Sequence, residues 1–179
     1  MESGRAVVVR ARERIVMPAR PLIVSAMNPC PCGYRGEPRR LCRCSFEQVQ
    51  RYQSRISGPV LDRFDLHLPL AAVPVNALRE ERRGDASEVV RARVAQARAC
   101  ARERGPESRD DLQRALEQEA LDVLVRSIDK LGLSLRAYTK ILRVSRTVAD
   151  LEGSDAVCKR HVAEAVQYRK LDRDRDRGD

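Results

Sequence analysis

"LIVSAMNPCPCGYRGEPRRLCRC", residues 22–44, sets a nearly unbroken apolar run directly before a knot of thiols. Residues 22–27 have the pattern of a strand buried on both faces, as in a parallel sheet. Asn28 and Pro29 close the run. Four of the chain's six cysteines then fall within fifteen residues as C-x-C-x9-C-x-C: Cys30, Cys32, Cys42 and Cys44. Four thiolates satisfy tetrahedral zinc, and a loop containing Gly and Pro lets two short arms fold back onto one ion. The metal supplies the core that so short a loop cannot build. A structural zinc site with all four thiolates as ligands is the leading reading; an iron–sulfur cluster or a redox pair stays open. With every ligand from protein, no position is left for water, which disfavours a catalytic zinc. Cys100 and Cys158, on or beside predicted helices, read as small apolar residues.

Working outward, residues 6–11 and 14–17 are β-prone and flank Arg12-Glu13, which predicts a hairpin with a polar tip. Downstream, Ser45 predicts an N-cap for a helix over 46–56, with Glu47 and Gln48 in its first turn. Ser57-Gly58-Pro59 breaks that helix, and residues 60–70 read as a turn followed by a strand-like stretch. "REERRGDAS" (79–87) is a charged linker, beyond which the pattern is helical throughout. One helix is capped by Asp85 or Ser87 and stopped by Gly105-Pro106. A second keeps a 3.6-residue rhythm from Leu112 to Leu131, a third runs from Ser134 to Gly153, and a fourth covers 159–170. The expected architecture is α/β plus all-α: a partial α/β domain over 1–76, a helical domain over 86–170 and a frayed tail over 171–179.

Composition narrows the function. The chain has 179 residues, 42% apolar and 34% charged, enough for a core and too apolar for wholesale disorder. No apolar run approaches a membrane span. The N-terminal residues are interrupted by arginines and lack a signal peptide's apolar stretch. A cytoplasmic location is therefore expected, where thiols are reduced and a cysteine cluster points to metal or redox chemistry. The net charge is +9, and residues 1–70 hold 12 basic against 6 acidic residues. That asymmetry suggests a polyanionic partner, nucleic acid or nucleotide phosphate; an arginine-rich solvated surface is the plain alternative. Aromatic residues make up 3% with no Trp, which argues against a base-stacking platform for single strands.

"AMNPCPCGY" (26–34), "LDRFDLH" (61–67) and "LSLRAYTKILRVSRTVADL" (133–151), in that order, carry a resemblance. The chain resembles, over residues 4–169, the second half of the AAA+ module in the magnesium-chelatase-like clade, and most nearly the ComM/YifB-type bacterial proteins. The resemblance implies that residues 22–28 form the sensor-1 strand, with Asn28 polarising the attacking water near the γ-phosphate. It makes the preceding hairpin the pre-sensor-1 hairpin, Arg63 the arginine finger and Arg136 the sensor-2 arginine of a helical lid. It also implies ATP with Mg2+ in the complete protein, neighbouring subunits of a homo-hexamer, and DNA as the substrate of a motor similar to the branch-migration helicases. The departure is equally definite. Nothing in the sequence fits G-x-x-x-x-G-K-[ST], and no apolar strand ends in Asp-Glu as a Walker B would. The chain alone is expected not to hydrolyse ATP and looks like the C-terminal part of a motor.

Each residue also has a plainer role open to it. The cysteine loop would fix the exit of the sensor-1 strand toward the helix before Arg63. Its arginines, Arg35, Arg39, Arg40 and Arg43, would contact DNA or a subunit, or else be solvated charges. Lys140 and Arg143 fall within about 40° of Arg136 on a helical wheel, so a solvated basic face gives the same pattern. Arg63 could form a local ion pair with Asp62 and Asp65, and Asn28 could cap the next turn. His67 and His161 lack paired ligand spacing and do not read as catalytic. Two further functions compete with the motor. One is a stand-alone zinc-stabilised nucleic-acid-binding module. The other is metal-chelatase assembly, against which the cysteine loop argues, because the chelatase subunits compared lack one.

Overall fold

The computed structural model describes residues 4–11, 13–19, 21–70 and 84–169. Arg12 at the hairpin tip, most of the charged linker and the tail expected to fray lie outside the described residues. The polypeptide divides into two compact units, residues 1–57 and 58–179.

In the first unit, β1 (Arg5–Arg10) and β2 (Glu13–Pro18) form the expected antiparallel hairpin, with Val7 opposite Val16 and Val8 opposite Ile15. Ala11 turns the chain with φ 50°, a conformation that L-residues adopt uncommonly and that suits a tight hairpin turn. The hairpin is the one sheet among the described residues. Residues 21–28 belong to no strand there, and Leu22 and Val24 are 91% and 86% exposed. The expected strand of a parallel sheet, buried on both faces, is therefore not formed by the described residues. The reason is topological: such a strand is buried by neighbours on either side and helices on both faces, and among the described residues the only partnered strands, β1 and β2, pair with each other. Helix α1 (Phe46–Gln53) follows the cysteine loop. Its start is as expected: Gln48 N–H donates to the Ser45 hydroxyl (3.2 Å), and Ser45 N–H donates back to the Gln48 side chain (3.0 Å).

The second unit is helical. It contains α2 (Gly58–Leu61), α3 (Ser87–Arg104), α4 (Arg109–Arg114), α5 (Gln118–Leu131), α6 (Leu135–Glu152) and α7 (Lys159–Gln167). Ala86, rather than Asp85 or Ser87, occupies the N-cap of α3 and offers no side-chain acceptor. The rhythm from Leu112 to Leu131 is two helices. Val157 explains the break: it donates to Ala115 O (2.9 Å) and accepts from Glu117 N–H (3.0 Å), pulling residues 115–117 out of helix into a short β-bridge. Helix α4 has its own capping box, Ser108 with Asp111. Gly132 and Gly153, at φ 61° and 72°, end α5 and α6 in the left-handed conformation that only Gly adopts at no steric cost.

Leu112, Leu124, Ile141, Leu142, Val157 and Val162 form the centre of this core, each worth about 1.5–3 kcal/mol of burial. Beside it sits a buried charge network. Asp150 is held by Arg146 from one turn earlier on α6 (2.9 Å) and by Arg104 at the end of α3 (2.5 Å). The Arg146 guanidinium also donates to Asp155 O (2.6 Å) and to Ser154 O, tying the loop that follows α6 back onto the helix. Among the described residues no helix is long and apolar enough to cross a membrane.

Candidate metal centre and the arginine-bearing turn

The cysteine loop folds back as its spacing demands. Gly33, at φ 81°, makes the first turn and donates its N–H to Cys30 O (3.0 Å). The Sγ atom of Cys30 lies 3.3 Å from that of Cys32 and 3.6 Å from that of Cys42; Cys32 and Cys42 are 3.6 Å apart. With Cys44 included, all four ligand atoms lie within 4.8 Å of one another. Bonds of about 2.3 Å to a tetrahedral ion place sulfurs about 3.8 Å apart, so the four cysteines could hold one metal ion with little movement. Their electrostatics point the same way. The Tyr34 backbone N–H, above all, draws Cys32 down to about 6. The Cys32 backbone N–H likewise favours a thiolate at Cys44, but the Cys44 thiol donates to the Cys32 sulfur, and that bond, burial and the other two sulfurs outweigh it and push Cys44 up to about 12. Four sulfurs this close cannot all ionise against one another; a divalent cation among them removes the conflict.

The surroundings brace the loop. The Gln53 side chain of α1 donates to Pro29 O (3.2 Å), and Glu37 N–H donates to Tyr34 O (3.1 Å). Arg40 stacks over the Tyr34 ring, 4.0 Å from its centroid, and donates to the Tyr34 hydroxyl (2.6 Å). Arg35, Arg39, Arg40 and Arg43 are all exposed. Asn28 is exposed just before the loop, its amide in reach of Gly33: a Cβ there would meet Asn28 Nδ2 at 3.8 Å.

Arg63 and Arg136 belong to the second unit. Arg63 is exposed on the turn after α2, its guanidinium donating to Pro59 O (2.9 Å). The carboxylates flanking it serve other partners: Asp65 pairs with Lys140 (2.7 Å), while Asp62 meets Arg169 (3.5 Å) and accepts from Ser134 (3.4 Å). Arg136 is exposed in the first turn of α6. Lys140, one turn further on, is not a solvated charge: its side chain is only 13% exposed. Both histidines are buried. His67 is buried with Nε2 3.3 Å from Leu61 O, and buried His161 accepts from Cys158 N–H and reaches Glu152 (3.0 Å). Sequence reasoning missed Arg169, Arg146, Asp150 and the Tyr34–Arg40 pair. Tyr34 and Arg40 are six apart in a loop, where no periodicity exists to reveal them.

Two family models cover most of this chain: "Magnesium chelatase, subunit ChlI" over residues 1–78 and "Magnesium chelatase, subunit ChlI C-terminal" over residues 84–169. Among curated proteins, Competence protein ComM of Haemophilus influenzae is 40% identical over 96% of this chain, and YifB of Escherichia coli, described as uncharacterized, is 40% identical over 97%. An uncharacterized protein of Mycobacterium tuberculosis is 31% identical over 95%. The chain spans 35% of the length of each of these relatives. From the hairpin to the last helix, the chain belongs to the magnesium-chelatase family, among the homologues of ComM and YifB.

Proposed function

We propose that this chain is the sensor, finger and lid portion of an ATP-hydrolysing AAA+ motor that acts on DNA as a homo-hexamer in the cytoplasm. The observation that carries the reading is family membership along nearly the whole chain, joined to two exposed arginines, Arg63 and Arg136, on one helical unit. The chain contains no phosphate-cradling loop, so ATP and Mg2+ would be held elsewhere, and this portion hydrolyses nothing alone. Its residues contribute at the γ-phosphate end: Asn28 orients the attacking water, Arg136 steadies the nucleotide, and Arg63 neutralises charge that develops on a neighbour's phosphoryl group. Cys30, Cys32, Cys42 and Cys44 hold a structural zinc that sets the path from Asn28 to α1. Arg35, Arg39, Arg40 and Arg43 face DNA phosphates, Arg40 from its stack on Tyr34.

A finger arginine is worth roughly 10³–10⁵ in rate where it has been measured. In the full-length protein, Arg63→Ala abolishes hydrolysis while nucleotide binding survives. Mixed with a Walker-defective partner that keeps its finger, the variant recovers part of its activity, because only a site shared between subunits permits rescue. No recovery in mixtures shown to co-assemble would remove the action in trans. Full activity of the single variant would remove the finger itself. The exposed arginines of the loop favour one second reading, a zinc-stabilised nucleic-acid module working without nucleotide; duplex binding unaffected by ATP analogues would support it.

A further inference from the structure

The turn that carries Arg63 is fastened to the rest of the helical unit by the side chains of Lys140, Arg169 and Ser134. Lys140 Nζ donates to Arg63 O (2.7 Å) and pairs with Asp65 Oδ1 (2.7 Å). Arg169, with its side chain 1% exposed, donates to Phe64 O (2.6 Å) and meets Asp62 Oδ1 (3.5 Å). Ser134, the N-cap of α6, reaches Asp62 Oδ2 (3.4 Å), and His67 N–H donates to Tyr168 O (2.8 Å). These bonds bracket Arg63 on both sides: residues 62, 63, 64, 65 and 67 each have an anchor on α6 or at the end of α7. Arg136 and Lys140 are four residues apart on α6 and so share one of its faces.

We infer that Lys140 is a positioning residue that locks the Arg63 turn onto the helix bearing Arg136, so that the two arginines move as one body. The inference rests on the reading of Arg63 and Arg136 as nucleotide-facing groups for its catalytic meaning, but not for the lock itself. A short loop holding a guanidinium toward another subunit has little stiffness of its own. A carbonyl and a carboxylate gripped by one ammonium largely withdrawn from solvent supply it, through charge-assisted bonds that are stronger than neutral ones. The lock also carries a consequence: whatever shifts α6 at its own nucleotide displaces Arg63 at the neighbour's. One rigid body would then serve two adjacent sites.

Hydrogen exchange on this chain tests the lock directly. Asp62, Arg63 and Phe64 N–H groups bond within the turn, to Gly58, Val60 and Leu61 carbonyls. In Lys140→Met their exchange rises about tenfold while Ile141 and Leu142 amides are unchanged, and Lys140→Arg restores protection. Unchanged exchange at 62–64 would overturn the lock, and so would equal acceleration at 141–142, which would make Lys140 a general stabiliser of α6. Hydrolysis by the full-length protein tests the consequence. Lys140→Met lowers kcat with KM for ATP unchanged, Lys140→Arg recovers it, and Lys140→Met costs nothing further on top of Arg63→Ala. Loosened exchange with normal kcat would overturn the positioning role. Normal hydrolysis by Arg63→Ala would instead sink the finger reading and leave the exchange result standing.

Discussion

Asp150 ties α3 to α6 through a shared carboxylate. One carboxylate accepts from two guanidinium groups, Arg146 on its own helix and Arg104 from α3, and its side chain is 6% exposed. Replacing it by Ala leaves Arg146, 5% exposed, without its counter-charge. Breaking a buried pair from one side costs about 3–5 kcal/mol, because the orphaned charge keeps its desolvation penalty. Asp150→Ala should lower the urea midpoint of the helical unit accordingly, while Asp110→Ala, an exposed carboxylate on α4, moves it little. Equal small effects would mean that water reaches Arg146 and relieves it.

At the level of elements, the cysteine loop takes its shape without a hydrophobic core. Fifteen residues with one buried side chain, Cys30, hold no core of their own. What shapes the loop is the turn at Gly33, the Tyr34–Arg40 stack and four sulfurs converging on one point. Purified chain should carry one zinc per molecule. Cys42→Ser should release it and expose residues 30–44 to proteolysis, with helical circular dichroism retained, because the helical unit has its own core. A chain free of metal, or bearing an iron chromophore, would refute zinc. Global unfolding of Cys42→Ser would refute the independence of the units.

At the scale of the whole molecule, charge governs any encounter with nucleic acid. The excess of +9 is carried mostly by arginines, whose charges meet phosphates whatever the sequence. Duplex binding should therefore be weak, indifferent to sequence and steeply reduced by salt, since each phosphate contact releases counterions. Reversing the charge at Arg39 and Arg40 together should flatten the salt dependence by about two contacts. Unchanged affinity would leave them as surface charges, Arg40 serving only Tyr34.

The sequence by itself determined what is local. Ser45 and Ser134 sit at helix starts and Gly132 and Gly153 at helix ends, because caps depend on a few neighbouring backbone groups. Convergence of the cysteines was legible too, since short arms on a turning loop have few places to go. Tertiary structure decided the rest. The break between α4 and α5 comes from Val157, some forty residues away, and no periodicity announces it. Lys140 looked like one more charge on a solvated face until the turn of residues 62–65 was laid against it. The run 22–27 shows the opposite case: its apolar pattern asks for a buried strand, but burial requires partners that the described residues do not supply. Local hydrogen bonding is written along the chain, whereas a strand's burial and a lysine's partner depend on what folding brings beside them.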